Sequence, residues 1–461
     1  MNDEQDTAEL LHLSSVSKDP KSQYVLGERY NKGLKVIQDH KEAFKWIKSS
    51  AEQGYAKAQS KLGIMYAEGI GVQRSYIEAI KWFINAAKQK DSIGEYYLGE
   101  MYTSGLGVSQ NVSEAIKWYT LSGERGNAKA QFKLGEFYST GKEVRQDYQE
   151  AIKWYLLAAE QGDITSQSKL GNMYFEGQGV SQNNKRAIKW FRLAAEQGDT
   201  VSQSRLGKMY TEGNGVQKDF EKAIKWNSLS AEKGDVDAQC NLGEIYGKGQ
   251  GVPKDQQESI KWYKQAAEQG SIAAQYNLGA IYGKGQGVPK DQQESIKWYR
   301  MAADQGNTEA QYNLGAIYGK GQGVPKDQQE SIKWYRMAAE QGDAEAQTSL
   351  GVIYTEGTGI KKDYKEAIKW FISSAKQNNS KGQFYLASMY MNGHGISEDY
   401  QEAIKWYRLA AEKGDTKSQT RLGMIYFTGD KVTQNYPKAS KWFKRAGDNG
   451  NAESQYMLGY M

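Results

Sequence analysis

Residues 128–163 read AKAQFKLGEFYSTGKEVRQDYQEAIKWYLLAAEQGD, and this stretch decides the fold. Ala130, Leu134 and Tyr138 stand four residues apart, a spacing that places them on one apolar stripe of an α-helix. Gly141 ends this predicted helix, because glycine readily adopts the left-handed conformation just past a helix C-terminus. A loop and a second helix with its own apolar face follow. The stretch therefore predicts a helix–turn–helix unit, whose helices we call A and B.

The unit recurs along the chain at a constant period. All 12 tryptophans stand 36 residues apart, from Trp46 to Trp442, and a Leu-Gly pair recurs at the same spacing. Ala387 is the one replacement of that glycine before Gly459. One helix pair cannot bury its own apolar face, whereas stacked pairs can. The predicted fold class is therefore all-α, an α/α superhelical solenoid of 36-residue helix–turn–helix repeats.

The repeat phase predicts the domain organisation. Residues 1–19 are expected to form a degenerate N-terminal half repeat that caps the array. Residues 20–451 form twelve tandem repeats, and residues 452–461 begin a truncated thirteenth. Terminal repeats normally need a polar outer face, and none is evident after residue 461. The sequence is therefore interpreted as a fragment, or as an array whose C-terminal edge meets a partner, self-association included.

Three positions of the unit carry specific structural predictions. Gly135 inside helix A costs about 1 kcal/mol relative to alanine, so we expect a neighbouring helix to approach it closely. Asp147 and Glu150 fit a capping box at the start of helix B. Trp154 and its equivalents are expected to pack between repeats.

Composition excludes several classes of protein. Charged residues make up 25% of the chain and aromatic residues 12%, which is unlike a disordered chain. The mean hydropathy of −0.78 and the lack of a long apolar run predict no membrane insertion. A net charge of +5 gives no strong case for nucleic acid as partner. The single cysteine and the lack of a signal-like start predict a cytoplasmic location, with non-classical secretion left open.

No catalytic constellation is evident in the sequence. The three histidines are scattered, and no H-E-x-x-H, C-x-x-C or G-x-S-x-G motif occurs. GKGQGVPK at residues 247–254 superficially matches a phosphate-binding loop, but it follows a predicted helix rather than a strand. We therefore predict no enzymatic activity, no catalytic residues, no metal and no cofactor.

A lysine precedes every tryptophan, from Lys45 to Lys441. This column predicts a basic ribbon along helix B. It has two interpretations: a solvated face that keeps the array soluble, or a surface for an acidic partner or an anionic surface.

The variable positions of helix A predict a binding groove on the concave face. The residue two before the Leu of the Leu-Gly pair is aromatic in some repeats and small in others, and exposed aromatic residues can anchor a peptide. Asparagines beside this column could bond an extended backbone. Recent duplication is the alternative explanation, since residues 277–299 and 313–335 are identical. The predicted partner-binding residues are Tyr96, Phe132, Tyr276, Asn277, Lys284, Tyr312, Asn313, Lys320 and Phe384; the same column also contains Ser60, Ser168, Ser204, Cys240, Thr348 and Thr420.

The pattern A-x-x-x-L-G-x-x-Y-x-x-G-x-G-V in residues 238–252, with D-x-x-E-A-I-K-W-Y-x-x-A-A-E-x-G in residues 147–162, resembles the Sel-1-like repeat (SLR) family. It is similar to the tetratricopeptide repeat, whose period is shorter. The resemblance implies an α/α superhelix that acts as an adaptor for protein complexes. Such members occur in ER-associated degradation, cell-wall synthesis and host interaction.

The sequence and the resemblance together predict a non-catalytic scaffold that presents its concave face to a protein or a peptide segment. The alternative is a regulatory subunit or activator of an enzyme in cell-wall synthesis, degradation or a kinase pathway. A hydrolase is the remote alternative.

Overall fold

The computed structural model describes residues 14–16, 18–430 and 432–461. This part of the chain contains twenty-five α-helices and no β-strand. Most of the predicted N-terminal half repeat, residues 1–13 and 17, lies outside the described residues.

The helices are numbered in chain order, with helix A of each repeat odd-numbered and helix B even-numbered. Their bounds are α1 Pro20–Lys32, α2 His40–Glu52, α3 Ala56–Glu68, α4 Tyr76–Lys88, α5 Ser92–Ser104, α6 Val112–Glu124, α7 Ala128–Thr140, α8 Tyr148–Glu160, α9 Ile164–Glu176, α10 Asn184–Glu196, α11 Thr200–Glu212, α12 Phe220–Ala231, α13 Val236–Lys248, α14 Gln256–Glu268, α15 Ile272–Lys284, α16 Gln292–Asp304, α17 Thr308–Lys320, α18 Gln328–Glu340, α19 Ala344–Glu356, α20 Tyr364–Lys376, α21 Ser380–Asn392, α22 Tyr400–Glu412, α23 Thr416–Thr428, α24 Tyr436–Asp448 and α25 Ala452–Tyr460.

The helices belong to two compact units, Met1–Asp235 and Val236–Met461. The first unit contains α1–α12 and the second α13–α25. Within each unit, every helix packs on the helices that precede and follow it in the chain. The buried side chains form a row of clusters, each of which joins one repeat to the next. The predicted all-α solenoid class is confirmed.

The predicted helix ends are confirmed in the repeat from which they were read. Helix A ends at Gly141, whose φ is +67°. The Asp147 side chain accepts hydrogen bonds from the amides of Gln149 and Glu150. The capping box, however, is only half formed. The Asp147 amide donates to the Tyr138 carbonyl at 2.9 Å, because the inter-helix loop brings that carbonyl to it.

The glycine inside helix A has the predicted close neighbour. A Cβ on Gly135 would lie 2.5 Å from Cδ1 of Tyr155, so the glycine makes room for a ring of helix B in the same repeat. The tryptophans pack between repeats, as predicted. Trp298 is 4% exposed and lies in a cluster with Ile260 and Tyr263 of the preceding repeat.

A buried row of glutamines, which the sequence analysis did not predict, links helices across the array. The side-chain amide of Gln275 donates to the Ala267 carbonyl of the preceding repeat at 3.0 Å. Its oxygen accepts from Gln305 Nε2 at 2.8 Å. In the repeat of residues 92–127, Glu95 and Arg125 replace the pair, with a 2.9 Å ion pair. The feature of the sequence that could have predicted this row is a glutamine at the fourth position of nearly every repeat.

Candidate partner-binding groove

A cleft in the second unit contains several of the predicted binding residues. Helix α15 contributes Tyr276, Asn277 and Lys284 to its lining. Helix α13 of the preceding repeat contributes the opposite wall, with Glu244 and Lys248. We call this cleft, together with the equivalent positions of the next repeat, the A-groove. The structure thus brings together three residues that the sequence predicted as a set.

The floor of the A-groove comes from α14, which the sequence analysis did not consider. Ser259 lines the cleft and donates from Oγ to the Gly243 carbonyl at 2.6 Å. Gln256 also lines it and donates from Nε2 to the Gly247 carbonyl at 2.7 Å. Because these floor groups bond to the protein itself, they are not the polar groups that a ligand would meet first. The feature of the sequence that could have pointed to Ser259 and Gln256 is the recurrence of Ser and Gln every 36 residues at the start of helix B.

The aromatic residue of each groove repeat rests on a buried tyrosine. The rings of Tyr276 and Tyr299 lie 5.7 Å apart between centroids. A Cβ on Gly279 would be 2.6 Å from Cδ1 of Tyr299, so the glycine lets that ring lie under Tyr276. The next repeat has the same arrangement, with Tyr312 and Tyr335 at 5.6 Å. Packing from below therefore holds Tyr276 and Tyr312 in place, while both stay half-buried.

Burial keeps the supporting tyrosines protonated. Desolvation raises the pKa of Tyr335 to about 12, with a smaller contribution from Tyr312. The pKa of Tyr299 is raised for the same reason. The aromatic support of the groove is therefore uncharged at neutral pH.

The asparagines beside the aromatic column have free hydrogen-bonding capacity. Asn277 and Asn313 are half-buried, and no hydrogen bond to either side-chain amide occurs among the described residues. A primary amide offers both donors and an acceptor, which is the combination that an extended backbone needs.

Phe384 lies at a separate place in the second unit. Its ring is 5.7 Å from that of Tyr407 and lines clefts with Lys417, Arg421 and Met424. Thr348 stands between Tyr312 and Phe384 in the aromatic column. It is buried, with 4% of its surface exposed, and it interrupts the row of aromatic side chains. Phe384 therefore does not extend the A-groove as a continuous aromatic row.

Two predicted residues lie in the first unit. Tyr96 rests on Tyr119 at 5.9 Å, and Phe132 rests on Tyr155 at 6.0 Å. Both are half-buried, like the aromatic residues of the second unit.

Most of the small residues of the column are buried, contrary to the expectation that this position faces a groove. A short side chain fits into the interface with the next repeat, and the side chains of Ser168 and Thr420 bond there. Ser168, for example, accepts from Ser202 Oγ at 3.1 Å. Thr420 lies 2.9 Å from Ser454 Oγ. The buried members are Ser60, Ser168, Ser204, Thr348 and Thr420.

The predicted basic ribbon on helix B is largely neutralised. In nine repeats the lysine before the tryptophan pairs with the glutamate three residues earlier, as in Lys153–Glu150 at 3.3 Å. The glutamate is thus used for this exposed pair rather than for the capping box. In the other three repeats a basic residue stands in its place and lies over a helix A tyrosine ring; these residues are Arg186, Lys222 and Lys438.

The glycine-rich loops are packing elements, as predicted. Gly287 has a φ of +72°, and a Cβ there would clash with Cβ of Gln256 in the preceding repeat. The Gln257 side chain donates to the Gly287 carbonyl at 2.8 Å. The loop thus lies against the start of the preceding helix B.

The histidines that the structure describes have local contacts. His40 Nδ1 lies 3.0 Å from Asn31 Oδ1, and the His394 ring stacks on Tyr364 at 4.8 Å. In the described part of the chain, no three His, Cys, Asp or Glu side chains are grouped to hold a metal ion. No helix of the described residues is long and apolar enough to span a bilayer.

The comparisons with known proteins agree with this architecture. The family model for the Sel1 repeat matches residues 20–55, 56–91, 92–127, 128–163, 164–199, 200–235, 236–271, 272–307, 308–343, 344–379, 380–415, 416–451 and 452–461. The chain belongs to the Sel1 repeat family. Proteins of this family are generally protein-interaction scaffolds, and the Sel1 solenoid is typically non-catalytic.

Two solved structures are similar over much of the chain. One is c5321, a protective antigen present in uropathogenic Escherichia coli strains that displays an SLR fold. It is 38% identical, with a TM-score of 0.76 and coverage of 90% of each chain. The other is a Sel1 repeat protein from Oxalobacter formigenes, 32% identical with a TM-score of 0.56, covering 67% of this chain and 90% of that one. The search of curated proteins gives no significant match.

Proposed function

We propose that the protein is a non-catalytic scaffold that holds an extended segment of a partner protein in the A-groove. The observation that carries the proposal is the grouping of Tyr276, Asn277 and Lys284 in one cleft. Tyr312, Asn313 and Lys320 repeat that set in the next repeat.

The chemistry of these side chains suits an extended peptide. A tyrosine already held by packing loses little conformational entropy when it binds, and such aromatic residues are common anchors of interfaces. The Asn277 and Asn313 amides can bond the peptide backbone independently of its sequence. Packed helices lie about 8–10 Å apart, a distance that about three residues of an extended chain cover. Each repeat can therefore meet a successive group of about three residues.

The proposal is tested with a phage-displayed library of random peptides selected on the purified chain. We expect selected peptides to bind. We expect the Tyr276→Ala/Tyr312→Ala variant to bind them at least about tenfold more weakly, which corresponds to a loss of about 1.4 kcal/mol in binding free energy. Tyr456→Ala is the matched control, because that ring is 71% exposed and lies on α25, outside the groove. Failure to enrich any peptide, or peptides that bind the double variant as well as the original chain, would contradict the proposal.

The alternative function, a regulatory subunit of an enzyme, is the same proposal with an enzyme as the partner.

Self-association through the C-terminal edge, where Tyr460 is 69% exposed, stays a prediction that sedimentation analysis of the chain checks. The cytoplasmic location also stays a prediction, and cell fractionation checks it.

A further inference from the structure

Lysines that end helix A differ in whether a carboxylate pairs with them. Lys32 pairs with Glu28 at 2.8 Å, and Lys248 pairs with Glu244 at 2.5 Å. Each glutamate stands four residues before its lysine, on the same side of the helix.

The next two repeats keep the lysine and lack the glutamate. Ala280 precedes Lys284, and Ala316 precedes Lys320, at the position that Glu244 occupies in the repeat before. Neither lysine has an ion pair among the described residues, and both side chains are exposed. Apart from this one position, residues 241–263 match residues 277–299. The two repeats of the A-groove therefore each present an ammonium group that the preceding repeat neutralises internally.

We infer that the A-groove takes an acidic extended segment of a partner protein, whose carboxylates occupy the place of the missing glutamates before Lys284 and Lys320. This inference rests on the proposed function. Lys284 lines the same cleft as Tyr276 and Asn277, so one segment meets the ring, the amide and the ammonium together. With repeats about 8–10 Å apart, carboxylates about three residues apart along an extended chain reach both lysines.

The surrounding charges limit the length of the acidic stretch. Glu244 lines the cleft on the side of the preceding repeat. Glu356 is exposed at the position of the following repeat that corresponds to Lys320. A continuous polyanion such as nucleic acid would meet these carboxylates on both sides, whereas a short acidic segment of a protein would not.

The test copies the natural pair into the groove. In Ala280→Glu/Ala316→Glu, each new carboxylate stands four residues before its lysine, as Glu244 does before Lys248. The probe is a synthetic peptide from the library selection on the original chain, together with a twin in which Asn and Gln replace its Asp and Glu. We expect the selected peptides to carry acidic residues about three apart, and the twin to bind about tenfold more weakly.

Matched variants assign the effect to the unpaired lysines. We expect Ala280→Glu/Ala316→Glu and Lys284→Gln/Lys320→Gln each to bind the acidic peptide about tenfold more weakly, and its affinity to fall with added salt. Lys32→Gln should bind as the original chain does, because that lysine pairs with Glu28 and lies in the first unit, outside the A-groove. Unchanged circular dichroism shows that the variants fold.

The outcomes separate this inference from the proposed function. The inference of an acidic segment is wrong if the neutral twin peptide binds as well as the acidic peptide. It is also wrong if Ala280→Glu/Ala316→Glu binds the acidic peptide with unchanged affinity. The scaffold proposal then still stands, provided that Tyr276→Ala/Tyr312→Ala loses binding. Displacement of the peptide by short single-stranded DNA at a similar concentration would also overturn the assignment to an acidic protein segment.

Discussion

Residues 92–127 and residues 272–307 are two repeats with the same arrangement and different buried polar pairs. In both, a glycine of helix A receives a tyrosine ring of helix B, at Gly99 and at Gly279. The first repeat joins its helices through Arg125 and Glu95, the second through Gln305 and Gln275. In these two repeats both members of the pair differ, so a charged pair stands where the other repeat has two neutral amides. The glycine–tyrosine contact is therefore the same in these two repeats, whereas the polar pair differs.

The largest effect is expected when the charged pair is broken. The Glu95 side chain is 2% exposed, and in Arg125→Gln it would lose its only charged partner among the described residues. We expect a loss of about 3 kcal/mol in local stability, since an unpaired buried charge is costly. Hydrogen exchange of residues 92–127, followed by mass spectrometry, measures it.

Glu95→Gln/Arg125→Gln is the control for this prediction. It recreates the pair of residues 272–307, and we expect it to stay within about 1 kcal/mol of the original chain. Equal losses in the single and double variants would show that the charged and neutral pairs are not equivalent solutions.

The shared glycine contact should have the next largest effect, and a similar one in both repeats. In Gly279→Leu the added side chain overlaps the Tyr299 ring, and we expect a loss of about 2 kcal/mol, as for other overpacked cores. Gly99→Leu should lose a similar amount against Tyr119. Hydrogen exchange of the affected helices checks both.

An alanine variant separates the size of the side chain from the loss of glycine. Ala387 stands at this position in its own repeat and is fully buried. Gly279→Ala should therefore keep most of the stability that Gly279→Leu loses. If both variants melt like the original chain, the close contact does not stabilise the repeat.

A smaller, pH-dependent difference should distinguish the two polar pairs. Burial raises the pKa of Glu95 above its usual 4.5, and Arg125 opposes that rise only in part. The Glu95 carboxyl group therefore binds its proton more tightly in the folded repeat than in the unfolded chain. The stabilisation from protonation is present at low pH and is lost as the pH rises through the raised pKa. The Glu95→Gln/Arg125→Gln variant should lack this dependence in exchange measured from pH 4.5 upward.

The smallest effect is expected at the exposed ion pairs that both repeats share. Lys117 pairs with Glu114 at 2.8 Å, and Lys297 with Glu294 at 2.9 Å, with both lysines largely exposed. Solvent screens such pairs, so Glu114→Gln or Glu294→Gln should change stability by about 0.3 kcal/mol. A loss above about 1 kcal/mol in the thermal melt would show that the helix B surface stabilises the array.

The apolar part of the fold could be predicted from the sequence, because period and spacing are local. The stripe of Leu134 and Tyr138 and the turn at Gly141 needed no knowledge of the neighbours. The glutamine row could not be predicted in that way, since an amide is polar and its burial depends on a helix in another repeat. The pairing of the lysine ribbon with glutamates was missed for a simpler reason. Glu150 was assigned to the cap, and its reach to Lys153 was not considered.

The site was predictable along one helix and not across several. Tyr276, Asn277 and Lys284 share a face of α15, and helical spacing alone places them together. Ser259 and Glu244 joined them only through the stacking of α13, α14 and α15. Most small members of the same column are buried, because a side chain as short as Ser168 fits an interface that a tyrosine cannot enter. Position in the repeat therefore predicts direction but not exposure.

The loop glycine that touches the preceding helix B has a consequence for how such a gene can change length. Because Gly287 lies against Gln256, an insertion in the loop would disturb the contact between neighbouring repeats, whereas the insertion of a whole unit would preserve it. Unequal recombination between identical stretches such as 277–299 and 313–335 would add or remove whole units instead. Every new junction then reproduces a contact that already exists, and arrays of different length can arise without passing through a misfolded ancestor.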